Sequence, residues 1–336
     1  MNKLIALSLF VGFPALFNAC APKQHEESTM TEGIPVIIDT DANNELDDQH
    51  AMAYLFFNQE VFAVKGVTVN ATRSGGNIDN QYAEAERVMK LCAVETTIPL
   101  FKGADKTFSE IRQNLGDAQF DGHDAVDFII QQGENFSAAG KLVIVALGKL
   151  TNIALALQKE PALADKIRLV WLGSNYPEPG EYNQDNDTVA MNYVLNSRLE
   201  FEIVTVRYGK PSGTDAVKLT QQEANQKMPG LGPRIESPVE GRHGGMFNTF
   251  GDYSVSLFEH IEYHGDPPSR ALYDMAAVAI VKNPHWAENN VIHAPILIGN
   301  NWVERPNNPH MIKVWENFSR TSILNDFFNS LGFGLR

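Results

Sequence analysis

The chain has 336 residues and 43% hydrophobic content, which is enough to bury the core of one large α/β domain or of two ordinary ones. Its formal net charge of −14 disfavours a nucleic-acid polymer or an anionic membrane surface as partner, because both surfaces require clustered Lys and Arg. A neutral small molecule or a cation suits this charge better.

The N-terminus has the pattern of a bacterial export signal. Met1-Asn2-Lys3 precedes an apolar stretch over residues 4–17, which is shorter than the about 20 apolar residues of a transmembrane helix. Cys20 follows Leu-Phe-Asn-Ala, which resembles a lipoprotein-processing site where the signal is cut and the thiol is acylated. An ordinary cleaved signal with an incidental cysteine is the alternative. We expect a signal peptide over residues 1–19, and a lipidated cysteine and flexible tether over residues 20–33.

From residue 35 onward, short β-branched runs alternate with amphipathic helical patterns. The strand candidates are nearly continuous apolar runs, typical of strands covered on both faces, at residues 35–39, 63–69, 141–147, 167–172 and 201–206. Helical patterns lie at residues 45–57, 80–92, 124–132, 152–157, 188–196 and 270–282. The alternation predicts an α/β fold over residues 34–336. We expect a single large domain with an open, mostly parallel, Rossmann-like sheet and helices on both faces.

The first predicted strand runs directly into an acidic loop. Its five carboxylates lie within ten residues, at Asp39, Asp41, Glu45, Asp47 and Asp48. Carboxylates this close repel one another unless a cation or protons neutralise them. Oxygen ligands of this kind select Ca²⁺, Mg²⁺ or Mn²⁺, and the absence of nearby Cys or paired His argues against zinc. Ligands bind at the carboxyl ends of strands in open α/β sheets, so we expect a hard divalent cation here.

Three other interpretations of this loop explain less of it. Asp47 and Asp48 could lie in the first turn of a helix, where the macrodipole favours anions, but this accounts for single residues and not for the group. An EF-hand fails because Asn44 stands where Gly is needed and His50 where a bidentate Glu is needed. An aspartyl-phosphate phosphotransferase would need a phosphate-binding Lys, and no matching signature is present.

The least regular segment covers residues 228–268 and is rich in Gly, Pro and His. A loop of this length inside a compact domain is usually functional or mobile. Its histidines are candidates for a general acid or a substrate contact, namely His243, His260 and His264. Aromatic residues that could stack with the ring of a ligand are Trp171, Tyr176, Phe247 and Tyr253, although aromatic residues are more often part of the core.

Four further segments accompany the acidic loop in a fixed order. They are Gly122-His123-Asp124, the run Ala-Leu-Gly-Lys-Leu-Thr-Asn-Ile-Ala at residues 146–154, Glu181-Tyr182-Asn183 with Asp187, and Leu-Tyr-Asp-Met-Ala at residues 272–276. Together with the Asp-Thr-Asp and Asp-Asp pairs, they resemble the inosine-uridine-preferring nucleoside hydrolase family over about residues 34–290. Each segment is weak alone, and their ordered co-occurrence carries the resemblance.

The resemblance implies a Ca²⁺ site. Its ligands would be the carboxylates of Asp41, Asp48 and Asp274 and the backbone carbonyl of Leu147. Asp41 would also be catalytic, because it would take a proton from a Ca²⁺-bound water that attacks the anomeric carbon of a ribonucleoside. The transition state is positively charged and resembles an oxocarbenium ion, so surrounding carboxylates would stabilise it and oppose a substrate phosphate.

The resemblance also implies contacts with the ribose. Asp47, Glu181 and Asn183 would hold its hydroxyl groups, with Glu181 at the 5′ end, and Asp39 would order the loop. Asn175 is a candidate for a further ribose contact, in a segment without a clear counterpart of the family's Gly-Asn pair.

Two departures from the family pattern concern the loop and the leaving group. The acidic loop is two residues longer than the common form, and Tyr273 stands where the family has a His proposed to protonate the leaving base. Tyr273 can donate a hydrogen bond, but the reference pKa of tyrosine near 10 makes it a weaker acid at neutral pH.

The sequence therefore predicts a secreted, membrane-anchored nucleoside hydrolase that releases purines or pyrimidines outside the cytoplasm, on the periplasmic or cell-surface side. The resemblance also implies a homodimer or homotetramer, and membrane contact only through the lipid. Two alternatives stay open. One is a hydrolase of another ribosyl or glycosyl compound, and the other is a Ca²⁺-dependent ribose- or nucleoside-binding lipoprotein without turnover.

Overall fold

The fold is built on a sheet of mainly parallel strands with helices packed on both faces. The computed structural model describes Met1 and residues 33–333. The strands are β1 (Ile34–Thr40), β2 (Phe62–Val69), β3 (Leu100–Lys102), β4 (Leu142–Ala146), β5 (Ile167–Leu172), β6 (Glu200–Val204), β7 (Lys218–Thr220), β8 (Val239–Glu240), β9 (Met246–Phe247), β10 (Ser269–Ala271), β11 (Glu288–His293), β12 (Ile296–Ile298), β13 (Asn301–Val303) and β14 (Met311–Glu316). The helices are α1 (Asp47–Phe56), α2 (Ile78–Leu91), α3 (Phe108–Ile111), α4 (His123–Glu134), α5 (Thr151–Lys159), α6 (Tyr182–Asn186), α7 (Thr188–Leu195), α8 (Gln221–Lys227), α9 (Phe250–Glu259), α10 (Met275–Lys282) and α11 (Arg320–Phe333).

The central sheet has eight strands in the order β11-β14-β6-β5-β4-β1-β2-β3. All of its neighbouring strands pair in parallel except β11, which runs antiparallel to β14. The chain winds outward from β1 to β3, then returns to β4 beside β1 and winds the other way. The carboxyl ends of β1 and β4 therefore flank a topological switch point, where open α/β sheets bind their ligands. This architecture confirms the predicted α/β fold.

The core lies on both faces of the sheet, because successive side chains of a strand point to opposite sides. Val36 and Ile38 join the cluster that contains α1, α2, α9, α10 and α11, while Ile37 between them joins the cluster that contains α3, α4, α5 and α7. All three residues are fully buried. This two-sided burial explains why the strands read as continuous apolar runs.

Two predicted segments differ from the structure. The helix expected over residues 270–282 begins only at Met275, because Ser269–Ala271 pair antiparallel with Lys218–Thr220. The segment expected to be irregular contains helix α9, whose first turn is capped by Thr249 Oγ1 accepting from the Asp252 backbone N–H at 3.1 Å.

Strands β3, β11 and β14 of the central sheet were not predicted. β14 lies parallel beside β6 although more than a hundred residues separate them in the chain, so it joins the sheet through a long-range contact. β11 forms the outer edge, and most of its residues are exposed, which removes the apolar pattern that identifies a buried strand.

The predicted signal peptide, Cys20 and tether lie outside the described residues, so their assignment stays a prediction. Within residues 33–333, none of the helices combines the length and the apolar character needed to cross a membrane.

Candidate active site

A cavity of about 230 Å³ opens at the switch point between β1 and β4. It contains most of the acidic residues singled out in the sequence. The residues that line it are Asp41, Asn44, Glu45, Asp47, Asp48, Leu147, Leu172, Glu181, Tyr182, Asn183, Val206, Tyr208, Arg270, Tyr273 and Asp274. The cavity therefore brings together residues that are more than two hundred positions apart in the chain.

Asp39 holds the end of β1 to its neighbours. Its Oδ1 accepts hydrogen bonds from Thr68 Oγ1 at 2.6 Å and from Asn152 Nδ2 at 2.7 Å, and its Oδ2 accepts from Asn70 Nδ2 at 2.9 Å. Burial raises the pKa of Asp39 to about 6, and these hydrogen bonds oppose the rise. Asp39 does not line the cavity, so its contacts match a supporting position beneath the acidic loop.

Asp41 is the first carboxylate that reaches the cavity, and it is buried. Thr72 Oγ1 donates to its Oδ2 at 2.5 Å, and the Tyr182 hydroxyl donates to Thr72 Oγ1 at 3.1 Å. Burial is the main cause that raises the pKa of Asp41 to about 7. Gly148 packs against this side chain, and a Cβ there would lie 2.9 Å from Asp41 Oδ1. The position therefore needs glycine to leave room for the carboxylate.

Asp47 and Asp48 form the N-terminal turn of α1, a helix that is buried along its whole length. The free N–H groups and the macrodipole of this end favour negative charge. The helical interpretation and the ligand interpretation of the two residues are therefore compatible. The longer loop before them is fixed through Asn43, whose backbone N–H donates to Gln81 Oε1 at 2.6 Å and whose Nδ2 donates to the Gly75 carbonyl at 2.7 Å.

Asp274, from a distant part of the chain, completes an acidic cluster in the cavity. Carboxylate oxygens of Asp47, Asp48 and Asp274 lie within 4.8 Å of one another, and all three residues are buried. Burial is the main cause that raises the pKa of Asp48 and of Asp274 well above the ordinary value, and the neighbouring carboxylates raise both further. Thr40 Oγ1 donates to Asp48 and partly offsets this.

These carboxylates fit a hard divalent cation. Their donors are oxygen atoms, which hard cations prefer, and within residues 33–333 none of Asp41, Asp47, Asp48 and Asp274 pairs with Lys or Arg. The cluster lacks a counter-charge of its own and is compatible with a metal site. Asn70 Oδ1 is a further oxygen near Asp41. It is buried, has no hydrogen-bond partner among the described residues, and lies close to Gly148.

The backbone of Leu147 reaches the same place from the end of β4. Its carbonyl oxygen accepts from Asn183 Nδ2 at 2.5 Å, and its N–H donates to the Asp39 carbonyl at 2.7 Å. A carbonyl oxygen has two lone pairs, so this hydrogen bond leaves one for a cation. Asn183 Nδ2 also donates to the Leu172 carbonyl at 3.1 Å, which leaves the amide oxygen of Asn183 free for a ligand.

Glu181 is positioned as the N-cap of α6. Its Oε2 accepts from the backbone N–H groups of Ser174 at 2.8 Å and Gln184 at 2.9 Å. These bonds fix the side chain, and its other carboxylate oxygen makes no hydrogen bond among the described residues. Burial raises the pKa of Glu181. A pre-oriented carboxylate oxygen of this kind suits a sugar hydroxyl group.

The remaining wall of the cavity carries Tyr273, Tyr208 and Arg270. The Tyr273 hydroxyl donates to Asp215 Oδ1 at 3.1 Å, and its ring packs edge-on against Tyr208 with 5.7 Å between centroids. Burial raises the pKa of Tyr273 further above its ordinary value, which makes it a weaker acid. Arg270 is the one cationic side chain among the cavity-lining residues of the described chain, and it pairs with Glu45.

Two predicted substrate contacts lie elsewhere. The Asn175 amide is bonded to the Gly180 carbonyl and to the Tyr208 backbone N–H, so its polar atoms face the backbone and not the cavity. The His243 ring stacks on His260 with 4.4 Å between centroids. Neither Asn175 nor His243 is among the residues that line the cavity within residues 33–333.

The other candidate acids and stacking residues are also outside the cavity lining of the described chain. Trp171 is buried and donates through Nε1 to the Gly148 carbonyl at 2.9 Å, so it supports the loop that carries Leu147. Tyr253 is buried and donates to Glu84 at 2.5 Å, within the packing between α2 and α9. His260, His264, Tyr176 and Phe247 likewise do not line the cavity.

Sequence reasoning missed several residues of the site. Asn70 directly follows β2 and carries the same strand-end signal that identified Asp41 and Leu147. Tyr208 lies in the loop after β6, which ends at Val204. Arg270 and Asp215 had no such signal, because the short antiparallel pair of β7 and β10 brings their segments together.

The chain matches the sequence model of the family described as inosine-uridine preferring nucleoside hydrolase over residues 36–323. The non-specific ribonucleoside hydrolase RihC of Salmonella agona is 27% identical over 275 residues, which cover 76% of this chain and 80% of that protein. A purine-preferring ribonucleoside hydrolase from Gardnerella vaginalis has a similar fold, with a TM-score of 0.68, 19% identity and coverage of 90% and 100%. The plant nucleoside hydrolase PpNRh1 also has a TM-score of 0.68, with 18% identity and coverage of 89% and 99%.

When a chelator removes bound metal, the buried carboxylates should make the folded protein less stable as the pH rises. The folded-state pKa of Asp47 is about 7 against an ordinary 3.8, so ionisation penalises the folded state as the pH rises from 3.8 through about 7. Asp48→Asn removes one buried charge at nearly constant volume. In thermal unfolding with a chelator, this variant should match the wild type at about pH 4 and unfold at a higher temperature at about pH 8.

Asp127→Asn is the matched control, because Asp127 is exposed and pairs with Lys159 on the surface. It should leave the unfolding midpoint nearly unchanged at both pH values. A lower midpoint for Asp48→Asn than for the wild type at the higher pH, in chelator, would contradict the prediction.

Proposed function

The chain belongs to the inosine-uridine preferring nucleoside hydrolase family and hydrolyses the N-glycosidic bond of ribonucleosides, and we propose that it does so with Ca²⁺ at the acidic cluster and Asp41 as the base. The ligands of the cation in this proposal are the carboxylates of Asp41, Asp48 and Asp274 and the carbonyl oxygen of Leu147. The products are the free base and ribose.

One observation carries the proposal, namely the convergence of buried carboxylates from distant segments in one cavity. Asp41 follows β1, Asp48 begins α1, and Asp274 immediately precedes α10, yet all three line the same space at the switch point. Buried like charges are costly, so a fold keeps them only when something offsets the cost. Asp41, Asp48 and Asp274 would hold a divalent cation, which would neutralise their charges and would supply positive charge to orient ribose hydroxyls and acidify water.

Asp41 is the proposed base because of how it is held. The hydrogen bond from Thr72 fixes Oδ2, while Oδ1 lies on the Gly148 side of the carboxylate. This leaves one oxygen to accept the proton of the water that attacks the anomeric carbon. The contact between Tyr182 and Thr72 restrains the carboxylate indirectly, and Tyr182 also lines the cavity.

Asp47, Glu181 and Asn183 are the proposed ribose ligands. Each lines the cavity, and each has at least one polar side-chain atom that is not used by the pairs described above. Their carboxylates add negative charge around a sugar that becomes positive in the transition state. Tyr273, at the other wall, is the proposed contact with the leaving base.

The first test is base release from a panel of ribonucleosides. Release should occur with Ca²⁺, stop after chelation, and return when Ca²⁺ is added back. Asp41→Asn keeps the shape of the side chain and removes its basicity, so kcat should fall by about 10²–10⁴-fold. Asp127→Asn, on the exposed surface, should retain wild-type kcat.

Two results would count against this proposal. Wild-type protein that binds ribose but releases base from no nucleoside would point to a binding protein without turnover. An Asp41→Asn protein that is folded and retains wild-type kcat would remove Asp41 from the role of base.

The charge of the cavity also predicts discrimination against nucleotides. A 5′-phosphate would lie near Glu181 and the acidic cluster in this proposal, and like charges in a partly dry site repel strongly. We expect kcat/KM for a nucleoside 5′-monophosphate to be at least about 10²-fold below that of its nucleoside, with a smaller gap for Glu181→Gln. Equal kcat/KM values for the two substrates would contradict the assignment of Glu181 to the 5′ end.

We further propose that the protein is an exported lipoprotein attached through Cys20. The support is the sequence of residues 1–20, with its basic start, apolar stretch and terminal cysteine. Bacteria expressing the chain should incorporate labelled palmitate into it and retain it in membranes. Cys20→Ala should lose the label, whereas Cys92→Ala, a change in the buried core, should keep it. Labelling of the Cys20→Ala protein would refute the assignment.

Sedimentation of the protein tests the dimer or tetramer suggested by the family.

A further inference from the structure

The hydroxyl group of Tyr273 is held from behind the cavity wall by a charged pair. It donates to Asp215 Oδ1 at 3.1 Å, and Lys218 Nζ lies 2.7 Å from Asp215 Oδ2. Asp215 is buried and is not among the cavity-lining residues of the described chain, whereas Tyr273 is. The Asp215 carboxylate therefore contacts the cavity wall through the hydroxyl group of Tyr273.

Elementary chemistry sets the direction of this hydrogen bond. An aspartate that pairs with an ammonium group is a carboxylate at neutral pH, and a carboxylate only accepts hydrogen bonds. The single proton of the Tyr273 hydroxyl is therefore directed at Asp215. The hydroxyl oxygen has only lone pairs left, so a ligand that reaches it meets a hydrogen-bond acceptor.

The position of Tyr273 is fixed by its other contacts. Its ring packs edge-on against Tyr208, with the two planes at 90°. The next residue, Asp274, belongs to the acidic cluster. A rigid acceptor at a fixed place next to the reacting centre can discriminate between ligands that differ in one polar group.

We propose that Tyr273, oriented by Asp215, accepts a hydrogen bond from the leaving base and makes the protein prefer ribonucleosides whose base carries an exocyclic amino group. This inference deepens the proposed function and rests on it, because that function puts Tyr273 beside the leaving base. Adenosine and cytidine carry an amino group where inosine and uridine carry a carbonyl oxygen. A carbonyl oxygen facing the Tyr273 oxygen would put two acceptors in contact with no proton between them.

Asp215→Asn keeps nearly the same side-chain shape but replaces a carboxylate oxygen, which accepts, with an NH₂ group, which donates. Lys218 only donates, so it should keep the amide oxygen on its own side and leave the amide NH₂ group facing the Tyr273 hydroxyl. The hydroxyl would then accept from this NH₂ group and turn its own proton toward the cavity. The altered wall should favour a carbonyl oxygen over an amino group.

The test measures kcat/KM for adenosine, inosine, cytidine and uridine with Ca²⁺ present. The wild type should prefer adenosine to inosine and cytidine to uridine. Asp215→Asn should lower both amino-to-carbonyl ratios by at least about tenfold. Tyr273→Phe should reduce kcat/KM for the amino substrates without raising it for the carbonyl substrates, since it supplies neither an acceptor nor a donor.

A merely structural role of Asp215 would change all four substrates in proportion, and ratios within about twofold of the wild type in a folded Asp215→Asn protein would overturn the inference. The matched control is Asp127→Asn, which alters an exposed Asp–Lys pair and should keep both ratios. If the wild type releases no base, the proposed function fails. The affinities of adenosine and inosine for the same variants are then measured by calorimetry. The inference requires that Asp215→Asn lower the adenosine-to-inosine affinity ratio by at least about tenfold.

Discussion

The crowding of buried carboxylates at the end of β1 is the constraint on which the rest of the site depends. Asp41, Asp48 and Asp274 are almost fully buried, and the raised pKa of each shows that its charge is unfavourable in the folded protein. A fold keeps such an arrangement only with help from outside the cluster, and here a cation fits that need. The surrounding residues hold the carboxylates close together but do not neutralise their charges.

Many of the contacts that hold these carboxylates are hydrogen bonds from neutral donors, each to one carboxylate oxygen. Asn152 shows the principle, because its amide links Asp39 at the end of β1, the Val69 carbonyl at the end of β2 and the Ala104 backbone N–H beyond β3. Neutral donors orient a carboxylate without cancelling its charge. The negative charge of the carboxylates therefore remains available to a cation.

The fold and the acidic half of the site could be predicted because both depend on local patterns. Asp41 and Leu147 directly follow buried strands, and the topology of a doubly wound sheet brings such positions together. The predicted start of helix α10 was wrong, because Ser269–Ala271 pair with β7 instead of continuing the helix. This pairing is a tertiary contact, and an amphipathic pattern carries no information about it. The same pairing of β7 and β10 brings Arg270 and Asp215 close to Tyr273. Of these three residues, only Tyr273 could therefore be predicted from the sequence. Asn175 lacked a pattern of its own, and its amide bonds to neighbouring backbone.

Helix α1 links the site to the last helix of the chain. Its first residues carry the acidic cluster, and near its end Tyr54 bonds to Asp326 and packs edge-on against Phe327, both of α11. Because all ten residues of α1 are buried, this helix is fully packed only when α11 is in place. The order of synthesis therefore matters, since the segment that packs against α1 is synthesised more than two hundred residues after it. Nascent or C-terminally shortened chains would lack the packing that holds the carboxylates in position.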